Sequence, residues 1–550
     1  MDSSASSPAW GKGAVVFAAM LLTLLAPFLL KPRESTAPTR HDRRLVILTP
    51  HHEQIREEFG RAFVRHWKAR TGQSVFIDWR VPGGTSEIAV MIKSEYTAAF
   101  QRHWTQVLKR PWSAEASQTF MSAKAPSGDA ARAAFLDSNA GIGVDLFFGG
   151  GAFDFQLQAD AGTLVSSQGP GTGLEEVRRK HPEWFSDAVI PEVLGGEPFR
   201  DASNRWCGTC LSSFGIVFNR DVLRRLGVAR DPEHWSDLAD PRLQGMVALA
   251  DPGRSSSVTK AFEMLIQQQM QEELARLSAT PGADGPEQIE KAAVAKGWEK
   301  GLALIQRISA NARYFSDTST KIPLDVLRGD AAAGMCIDFY GRAAEESVRG
   351  KDGGSRVGFV MPVGGTSISV DPIAMMRGAP DPQIATAFIE FVLGHEGQKL
   401  WTYRPGIPGG PDRQALRRLP VRRDFYTPGH LRFMNDAGEL PYAKAGAFVY
   451  HPSWTAAAFS PLRFLLRVLC VDAHEEQKLA WHELAAHAFP PAAEAAFHDL
   501  ETASYDKALG DIAATLRTRD KIAETRLSRQ LGGVFRNNYA TAANLARQGR

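Results

Sequence analysis

Short apolar runs and helical patterns alternate along the chain from Leu45 onward. The run LVILT (45–49) precedes four apolar residues at a spacing of four, which gives a helix one apolar face: Ile55, Phe59, Phe63 and Trp67. A second run, SVFIDW (74–79), precedes another helical pattern. Because strands that alternate with helices form sheets covered by those helices, the sequence predicts an α/β fold with largely parallel sheets.

The same alternation continues through most of the chain. Further strands are predicted within GVDLFFGGG (143–151), SSFGIVFNRDVLRRLG (212–227), MVALADPGRSSSVTKAFEMLI (246–266), AAAGMCIDFYG (331–341) and VGFVMPVGGTSISVDPIAMMRG (357–378). Helices are predicted over residues 381–401 and over the excursion 93–140, and the chain after Pro441 is predicted to be mainly helical. A length of 550 residues is enough for more than one hydrophobic core.

Polar and glycine-rich loops follow four of the predicted strands. They are Thr49–Glu53, Gly83–Glu87, Gly149–Gly151 and Ser255–Ser257. In open α/β sheets, ligands bind beyond the carboxyl ends of the strands, where helix N-termini present free N–H groups. The sequence therefore predicts that these loops line one cleft. We expect the helix after Gly83 to be capped by Thr85 or Ser86.

The N-terminal region contains an uncharged run of 18 residues, GAVVFAAMLLTLLAPFLL (13–30). At ~1.5 Å per residue this run would span ~27 Å as a helix, close to the thickness of a hydrocarbon core. Residues 1–31 are therefore interpreted as a membrane anchor or a long signal peptide, and the absence of an A-x-A cleavage site favours the anchor. Either interpretation predicts export. Residues 32–43 are interpreted as a polar tether.

Seven segments of the chain resemble extracellular solute-binding proteins of ABC transporters, specifically the type 2 periplasmic-binding fold that includes the ferric-iron-binding group. They are LTPHHEQIREEFGRAF, GGTSEI, GVDLFFGGG, SSFGIVFNRDVL, HWSDLADPRLQGMVALADPGRSSS, LRGDAAAGMCIDFYG and GFVMPVGGTSISVDPIAMMRGAPDPQIATAFIEFVL. The resemblance covers roughly residues 44–410 and is most specific in the HWSDLADP segment. It does not extend to the excursion or to the last ~100 residues.

The resemblance implies a two-lobed α/β protein with mixed sheets. The first lobe would contain residues 44–211 and the returning segment 357–440, the second lobe 212–356, and a helical C-terminal extension 441–550. SSFGIVFN would carry the chain across to the second lobe. The implied function is not enzymatic: the protein would capture a small ligand by hinge closure and deliver it to an ABC permease in the membrane.

Twelve residues are expected to contact the ligand: Thr49, His51, His52, Gly84, Thr85, Ser86, Gly150, Gly151, Ser255, Ser256, Asp338 and Tyr340. The resemblance implies that the transported ligand is ferric iron and that His51, His52 and Tyr340 bind it. Iron-binding relatives carry two adjacent tyrosines, whereas this chain has Phe339-Tyr340, so a small oxygen-rich or anionic solute is the other expectation. Each of these residues also has a purely structural interpretation, such as Ser255 acting as a helix N-cap.

Other function classes are weakly indicated. The chain has 23% charged residues and a net charge of +3, with its basic residues scattered, which argues against nucleic-acid binding. RWCGTC (205–210) contains a CxxC pair that is interpreted as a local disulfide or as two free cysteines, because strand-like sequence rather than a helix follows it.

An anchored sensor or scaffold with the same fold is the alternative function. A metalloenzyme built on His51-His52-Glu53 is a further rival.

Overall fold

The computed structural model describes residues 41–279 and 285–550, together with Met20 and Leu22. Nearly all of the predicted anchor and most of the tether lie outside the described residues. Within the described part, one segment, Pro452–Val471, is long and apolar enough to cross a membrane. Its apolar window is 61% buried inside the protein, as is typical of a helix in the core of a globular domain.

Two large β-sheets organise the described residues. The first sheet contains β1 (Arg43–Leu48), β2 (Val75–Arg80), β3 (Leu146–Phe148), β4 (Leu164–Val165), β7 (Cys207–Ser212) and β13 (Ser369–Met376). The second sheet contains β8 (Phe214–Asn219), β9 (Val247–Ala250), β10 (Ala312–Ser316), β11 (Ala333–Ile337) and β12 (Val357–Val360). A small hairpin consists of β5 (Val193–Leu194) and β6 (Glu197–Pro198).

Helices connect these strands and continue to the C-terminus. In chain order they are α1 (Glu53–Thr71), α2 (Thr85–Arg102), α3 (Ala114–Thr119), α4 (Ala130–Asp137), α5 (Ala152–Ala161), α6 (Gly173–Lys180), α7 (Arg220–Arg225), α8 (Ser256–Ser278), α9 (Pro286–Ala310), α10 (Lys321–Arg328), α11 (Asp338–Ser347), α12 (Pro382–Leu393), α13 (His395–Thr402), α14 (Pro428–Leu431), α15 (Pro441–Lys444), α16 (Pro452–Thr455), α17 (Phe459–Leu466), α18 (His474–Ala486), α19 (Pro491–Phe497), α20 (Tyr505–Lys507), α21 (Ala513–Arg517) and α22 (Lys521–Arg547).

Shorter helical segments lie between them. Three are π-helical: His103–Val107, Arg467–Val471 and Ala508–Ile512. Others form 3₁₀ turns: Pro182–Phe185, Trp235–Ala239, Pro241–Leu243, Arg423–Phe425, Ala445–Ala447, Ala456–Ala458 and Glu501–Ala503.

The two sheets have the same strand arrangement. Their orders are β2-β1-β3-β13-β4 and β10-β9-β11-β8-β12. In each sheet the first three strands are parallel, and the fourth is antiparallel to both of its neighbours. The fourth strands, β13 and β8, each lie beside a point where the chain passes between the sheets. The predicted two-lobed α/β class with mixed sheets is confirmed.

Each sheet has its own hydrophobic core, and we call each sheet with its core a lobe. The first core surrounds β1, β3 and β13 and includes α1 and α12. The second core surrounds β8, β9 and β11, and it continues without interruption into the C-terminal helices as far as Ala546. The helices after Pro452 therefore share the second lobe's core instead of forming a core of their own.

Several local predictions need correction. Helix α2 begins at Thr85 with Gly84 as its N-cap, so Thr85 and Ser86 lie in the first turn and do not cap it. The helix predicted over 381–401 is two helices, because the chain turns at Gly394, the N-cap of α13. The excursion 93–140 is only partly helical, with loops between the end of α2, α3 and α4.

The cysteines of the CxxC pair are free. Cys207 and Cys210 both lie on β7 and are buried, as are the other cysteines among the described residues. Neither thiol forms a disulfide bond. The disulfide alternative is therefore wrong. Burial raises the pKa of the Cys207 thiol to about 12, which keeps it a neutral thiol.

Phe59 offers a direct test of the first core. Its side chain is fully buried, with ring centroids 4.3 Å from Trp401 and 5.7 Å from Phe148. We expect Phe59→Ala to lower the free energy of unfolding by about 3–5 kcal/mol, measured by urea denaturation, because it leaves a cavity among these rings. Val90→Ala is the control, since Val90 is 70% exposed. If Phe59→Ala and Val90→Ala lowered the free energy of unfolding by the same small amount, the result would contradict the packing of Phe59 in the first core.

Candidate functional site

The two lobes meet where strands of both sheets end. His52 is the N-cap of α1 and follows β1 of the first sheet, whereas Tyr340 lies in the first turn of α11, directly after β11 of the second sheet. The hydroxyl of Tyr340 lies 2.9 Å from Nε2 of His52, at hydrogen-bond distance. The ring centroid of Phe339 lies 6.3 Å from that of His52. Two predicted ligand residues from different lobes are therefore in direct contact.

His51 lies beneath this contact with its ring shielded from solvent. It is 4% exposed, and its two ring nitrogens have no hydrogen-bond partner among the described residues. Its backbone N–H donates to Oγ1 of Thr49, which orients the loop. Nε2 lies 3.7 Å from a carboxylate oxygen of Asp371, a distance too long for a hydrogen bond. Burial lowers the pKa of His51, so the imidazole is neutral at neutral pH.

A buried ion pair forms the floor of the site. Arg418, whose side chain is 0% exposed, donates to Asp371 Oδ2 over 2.5 Å, and its guanidinium lies 4.4 Å from the ring centroid of Phe339 and 5.7 Å from that of Trp401. Burial alone would raise the pKa of Asp371, but Arg418 and His51 outweigh burial and hold it below its ordinary value. This pair links β13 with the residues that precede Tyr340.

Asp338 is a further buried acidic residue near the ion pair of Arg418 and Asp371. It is 1% exposed and accepts a hydrogen bond from the backbone N–H of Phe339. Burial raises its pKa to about 6, while Arg418 and Arg342 oppose the shift. Asp371 and Arg418 were not identified from the sequence. An aspartate inside the apolar strand SVDPIAMM was the available signal for Asp371, whereas Arg418 lies in an irregular segment with no such signal.

The glycine loop after β3 brings the main chain against two predicted ligand residues. Gly149 has φ +91°, and a Cβ atom there would lie 2.4 Å from Nε2 of His51. A Cβ atom on Gly150, at φ +122°, would lie 2.7 Å from the Thr85 methyl group. Glycine is required here for close approach as well as for conformation. The loops after β1, β2 and β3 therefore converge.

Gly151 and Thr85 share a further neighbour, Asp154. Gly151 is the N-cap of α5, and Asp154 lies in the first turn of that helix. Burial raises the pKa of Asp154 to about 6, although hydrogen bonds from the Thr85 side chain and the Gly151 backbone, together with the charge of Arg463, oppose the shift. Gly84 and Ser86 lie beside Thr85 at the same end of α2.

The serine loop belongs to the second lobe. Ser255 is the N-cap of α8, and its hydroxyl accepts from the backbone N–H of Val258 at 3.4 Å, so its structural role as a cap is confirmed. Ser256 is the first residue of α8; its side chain lies outside the described part. The preceding Pro252 and Gly253 carbonyls accept hydrogen bonds from Arg463. Contact between these serines and a ligand stays a prediction.

The histidines do not form a compact metal cluster. Within the described ranges, no group of three or more His, Cys, Asp or Glu side chains is arranged to hold a metal ion. The His51 ring packs against Phe148, whereas the His52 ring packs against Tyr340. Iron binding by His51, His52 and Tyr340 together stays a prediction.

Comparison with known proteins relates part of the chain to one family. Residues 186–430, just under half of the chain, match the family described as bacterial extracellular solute-binding protein. This segment is therefore similar to the solute-binding proteins of that family.

Individual relatives are distant. An uncharacterized protein of Haemophilus influenzae is 23% identical over 257 residues, which are 47% of this chain and 60% of that protein. The phosphoglycerate transport regulatory protein PgtC of Salmonella typhimurium is 24% identical over 34% of this chain and 39% of PgtC. The solved structure of the periplasmic binding protein AfuA from Actinobacillus pleuropneumoniae is 16% identical, covering 70% of this chain and 86% of AfuA, with a TM-score of 0.43. The chain thus spans less than two thirds of the two curated relatives.

The close approach of Gly149 to His51 can be tested by substitution. We expect Gly149→Ala to lower the free energy of unfolding by about 1 kcal/mol or more beyond the effect of Gly72→Ala, because its Cβ meets the His51 ring. Gly72 is the matched control: it also has positive φ, +72°, but nothing lies within 4 Å of its Cβ position. Urea denaturation measures both, and equal losses would contradict the predicted contact.

The raised pKa of Asp154 predicts a pH dependence. Between its ordinary value of 3.8 and about 6, the folded protein binds this proton more tightly than the unfolded chain does. The contribution of Asp154 to the free energy of unfolding should therefore fall as pH rises from about 4 to about 6. Compared with Asp154→Asn, the unmodified protein should lose stability over this interval in urea titrations. A constant difference between the two proteins would contradict the assignment.

Proposed function

We propose that this protein is the solute-binding component of an ABC import system. It would work outside the cytoplasm, capture a small ligand between its lobes and present the closed form to a membrane permease, with residues 13–30 as a membrane anchor. The observation that carries the proposal is the contact between His52 and Tyr340, 2.9 Å apart and located at strand ends of two different sheets. A ligand that enters between them bridges the lobes and favours closure.

The ligand class follows from the groups available at the site. The Tyr340 hydroxyl, the imidazoles of His51 and His52, and the helix N-termini beside Thr85 and Gly151 supply hydrogen-bond donors. Such donors favour a ligand rich in oxygen atoms or carrying negative charge. His51, buried with unpartnered nitrogens, is the group most in need of such a partner.

A small anionic solute is preferred over ferric iron as the ligand. Burial raises the pKa of Tyr340, so its hydroxyl stays protonated and acts as a donor in the absence of a metal. The resemblance to iron-binding proteins implies two adjacent phenols, whereas this chain has a phenylalanine, Phe339, beside Tyr340. The Salmonella relative is named for phosphoglycerate transport, which makes 3-phosphoglycerate a suitable first probe.

An anchored sensor is the second candidate. The name of the Salmonella relative refers to regulation of transport, and a sensor would use the same cleft without delivering the ligand. Purification of the cross-linked full-length protein from its membrane distinguishes the two functions. An ABC permease among the cross-linked partners supports import, whereas a histidine kinase without a permease supports sensing.

Ligand binding tests the proposal directly. Native mass spectrometry of the purified protein should reveal a co-purified small molecule, and isothermal titration with 3-phosphoglycerate or ferric citrate identifies its class. We expect Tyr340→Phe to weaken binding about tenfold, since it removes one ligand-facing hydrogen bond. Tyr314→Phe is the matched control: Tyr314 lies in the same lobe, and its hydroxyl donates to Asp325.

Two results would contradict this function. One is the absence of any co-purified molecule together with no binding of either probe. The other is an unchanged affinity in Tyr340→Phe, which would place the ligand away from the cleft. Equal loss of iron binding in Tyr340→Phe and His51→Ala would instead favour iron as the cargo.

A further inference from the structure

The C-terminal extension makes a third connection between the lobes. Residues 441–455, here called the strap, follow the first lobe and lead into the helices of the second. On the first lobe, Ala445 is part of the hydrophobic core and the Tyr442 ring centroid lies 5.5 Å from that of Tyr426. The backbone N–H of Tyr450 donates to the carbonyl of Gly195 at 2.7 Å.

The other side of the strap is bonded to α8 of the second lobe. Gln267 donates through Nε2 to the His451 carbonyl and to Thr455, and its Oε1 accepts from the His451 backbone N–H at 2.8 Å. The Tyr450 hydroxyl donates to Glu263 at 3.0 Å. Gln267 is 0% exposed, so these bonds are shielded from water.

A buried ionic junction joins the strap to both lobes. Nζ of Lys260 lies 3.1 Å from Glu263 Oε2 and 3.5 Å from Glu197 Oε1, and 3.5 Å from the centroid of the Tyr450 ring. Glu197 lies on β6, ahead of the crossing to the second lobe, and is 4% exposed. Ser367, in the connection that returns to the first lobe, donates to Glu197 at 2.6 Å. The strap and the two segments that pass between the lobes are therefore in contact with one another at this junction.

The extension also contacts the first lobe beside Asp154 and the Gly151 loop. Phe459 on α17 and Phe153 on α5 of the first lobe have ring centroids 5.5 Å apart, although Phe153 is 53% exposed. One turn further along α17, Arg463 donates to the Pro252 and Gly253 carbonyls before α8. Asp154 next to Phe153 interacts electrostatically with Arg463. The extension therefore contacts the first lobe at Phe153 as well as at the Lys260 junction.

We propose that the C-terminal extension is a clamp that holds the two lobes closed and restricts how far the cleft opens. The proposal rests on the proposed function in that it describes the regulation of the same cleft. Two interlobe passages alone permit rotation about a hinge. In this protein, opening also requires that Phe153 separate from Phe459 and that the strap be distorted. Distortion would break buried hydrogen bonds of the strap, and solvent does not reach them to form replacement bonds.

Distances between the lobes test the clamp without a ligand. Nitroxide labels on Ser94→Cys in α2 and Leu324→Cys in α10 report the separation by pulsed electron spin resonance; Leu324 is 46% exposed, and the native cysteines among the described residues are buried. We expect a single narrow distance distribution in the otherwise unmodified chain. Gln267→Ala and Phe153→Ala should each increase the population of longer distances, by about tenfold for Gln267→Ala.

Matched controls lie on the same helices. Gln269→Ala, on α8, removes an exposed glutamine bonded to Glu272, and Leu157→Ala, on α5, removes an apolar side chain that is 51% exposed. Both should retain the narrow distribution. Far-ultraviolet circular dichroism establishes that each variant is folded. Because Phe153 is exposed, its substitution keeps the test valid even where Gln267→Ala fails to fold.

The outcomes separate this inference from the proposed function. A broad distribution in the unmodified chain, or unchanged distances in Phe153→Ala and in folded Gln267→Ala, would overturn the clamp even where 3-phosphoglycerate or ferric citrate binds. Longer distances in these variants alone support the clamp, including the case in which neither probe binds and the proposed function fails.

Discussion

The arrangement of the site depends on how the chain passes between the two sheets. Ser213 alone separates β7 of the first sheet from β8 of the second, and residues 361–368 connect β12 back to β13. Each sheet thereby contains one strand antiparallel to its neighbours, next to parallel strands. Consequently the loops that follow β1 and β3 lie opposite the turn that follows β11. The contact between His52 and Tyr340 is a result of this topology.

Buried charge then distinguishes the floor of the cleft from the rest of the core. Placing Arg418 and Asp371 away from water costs free energy, which their mutual attraction offsets. Such a pair specifies geometry more than it adds stability. Here it packs Arg418 against Phe339 and therefore positions the first turn of α11, which carries Tyr340. The Lys260 junction has the corresponding role at the hinge.

Local patterns in the sequence were sufficient to predict the strands and helices that surround the candidate site. The strand and helix of residues 43–71 follow from apolar spacing, and the glycines after β3 indicate close approach of the backbone. The Gly84 cap was mispredicted because Thr85 and Ser86 have the stronger capping preference. Asp371 and Arg418 could not be paired from the sequence, since they are 47 residues apart and meet only through folding. Likewise, the helical pattern after Pro441 does not reveal which lobe the helices pack against.

The position of a bound ligand tests the central claim most directly. A crystal structure of the protein purified with its natural ligand would give that position. The account predicts ligand density in contact with His52 or Thr85 of the first lobe and with Tyr340 of the second, within hydrogen-bond distance of both lobes. Density confined to the surface of one lobe, with His52 and Tyr340 still in contact, would contradict it.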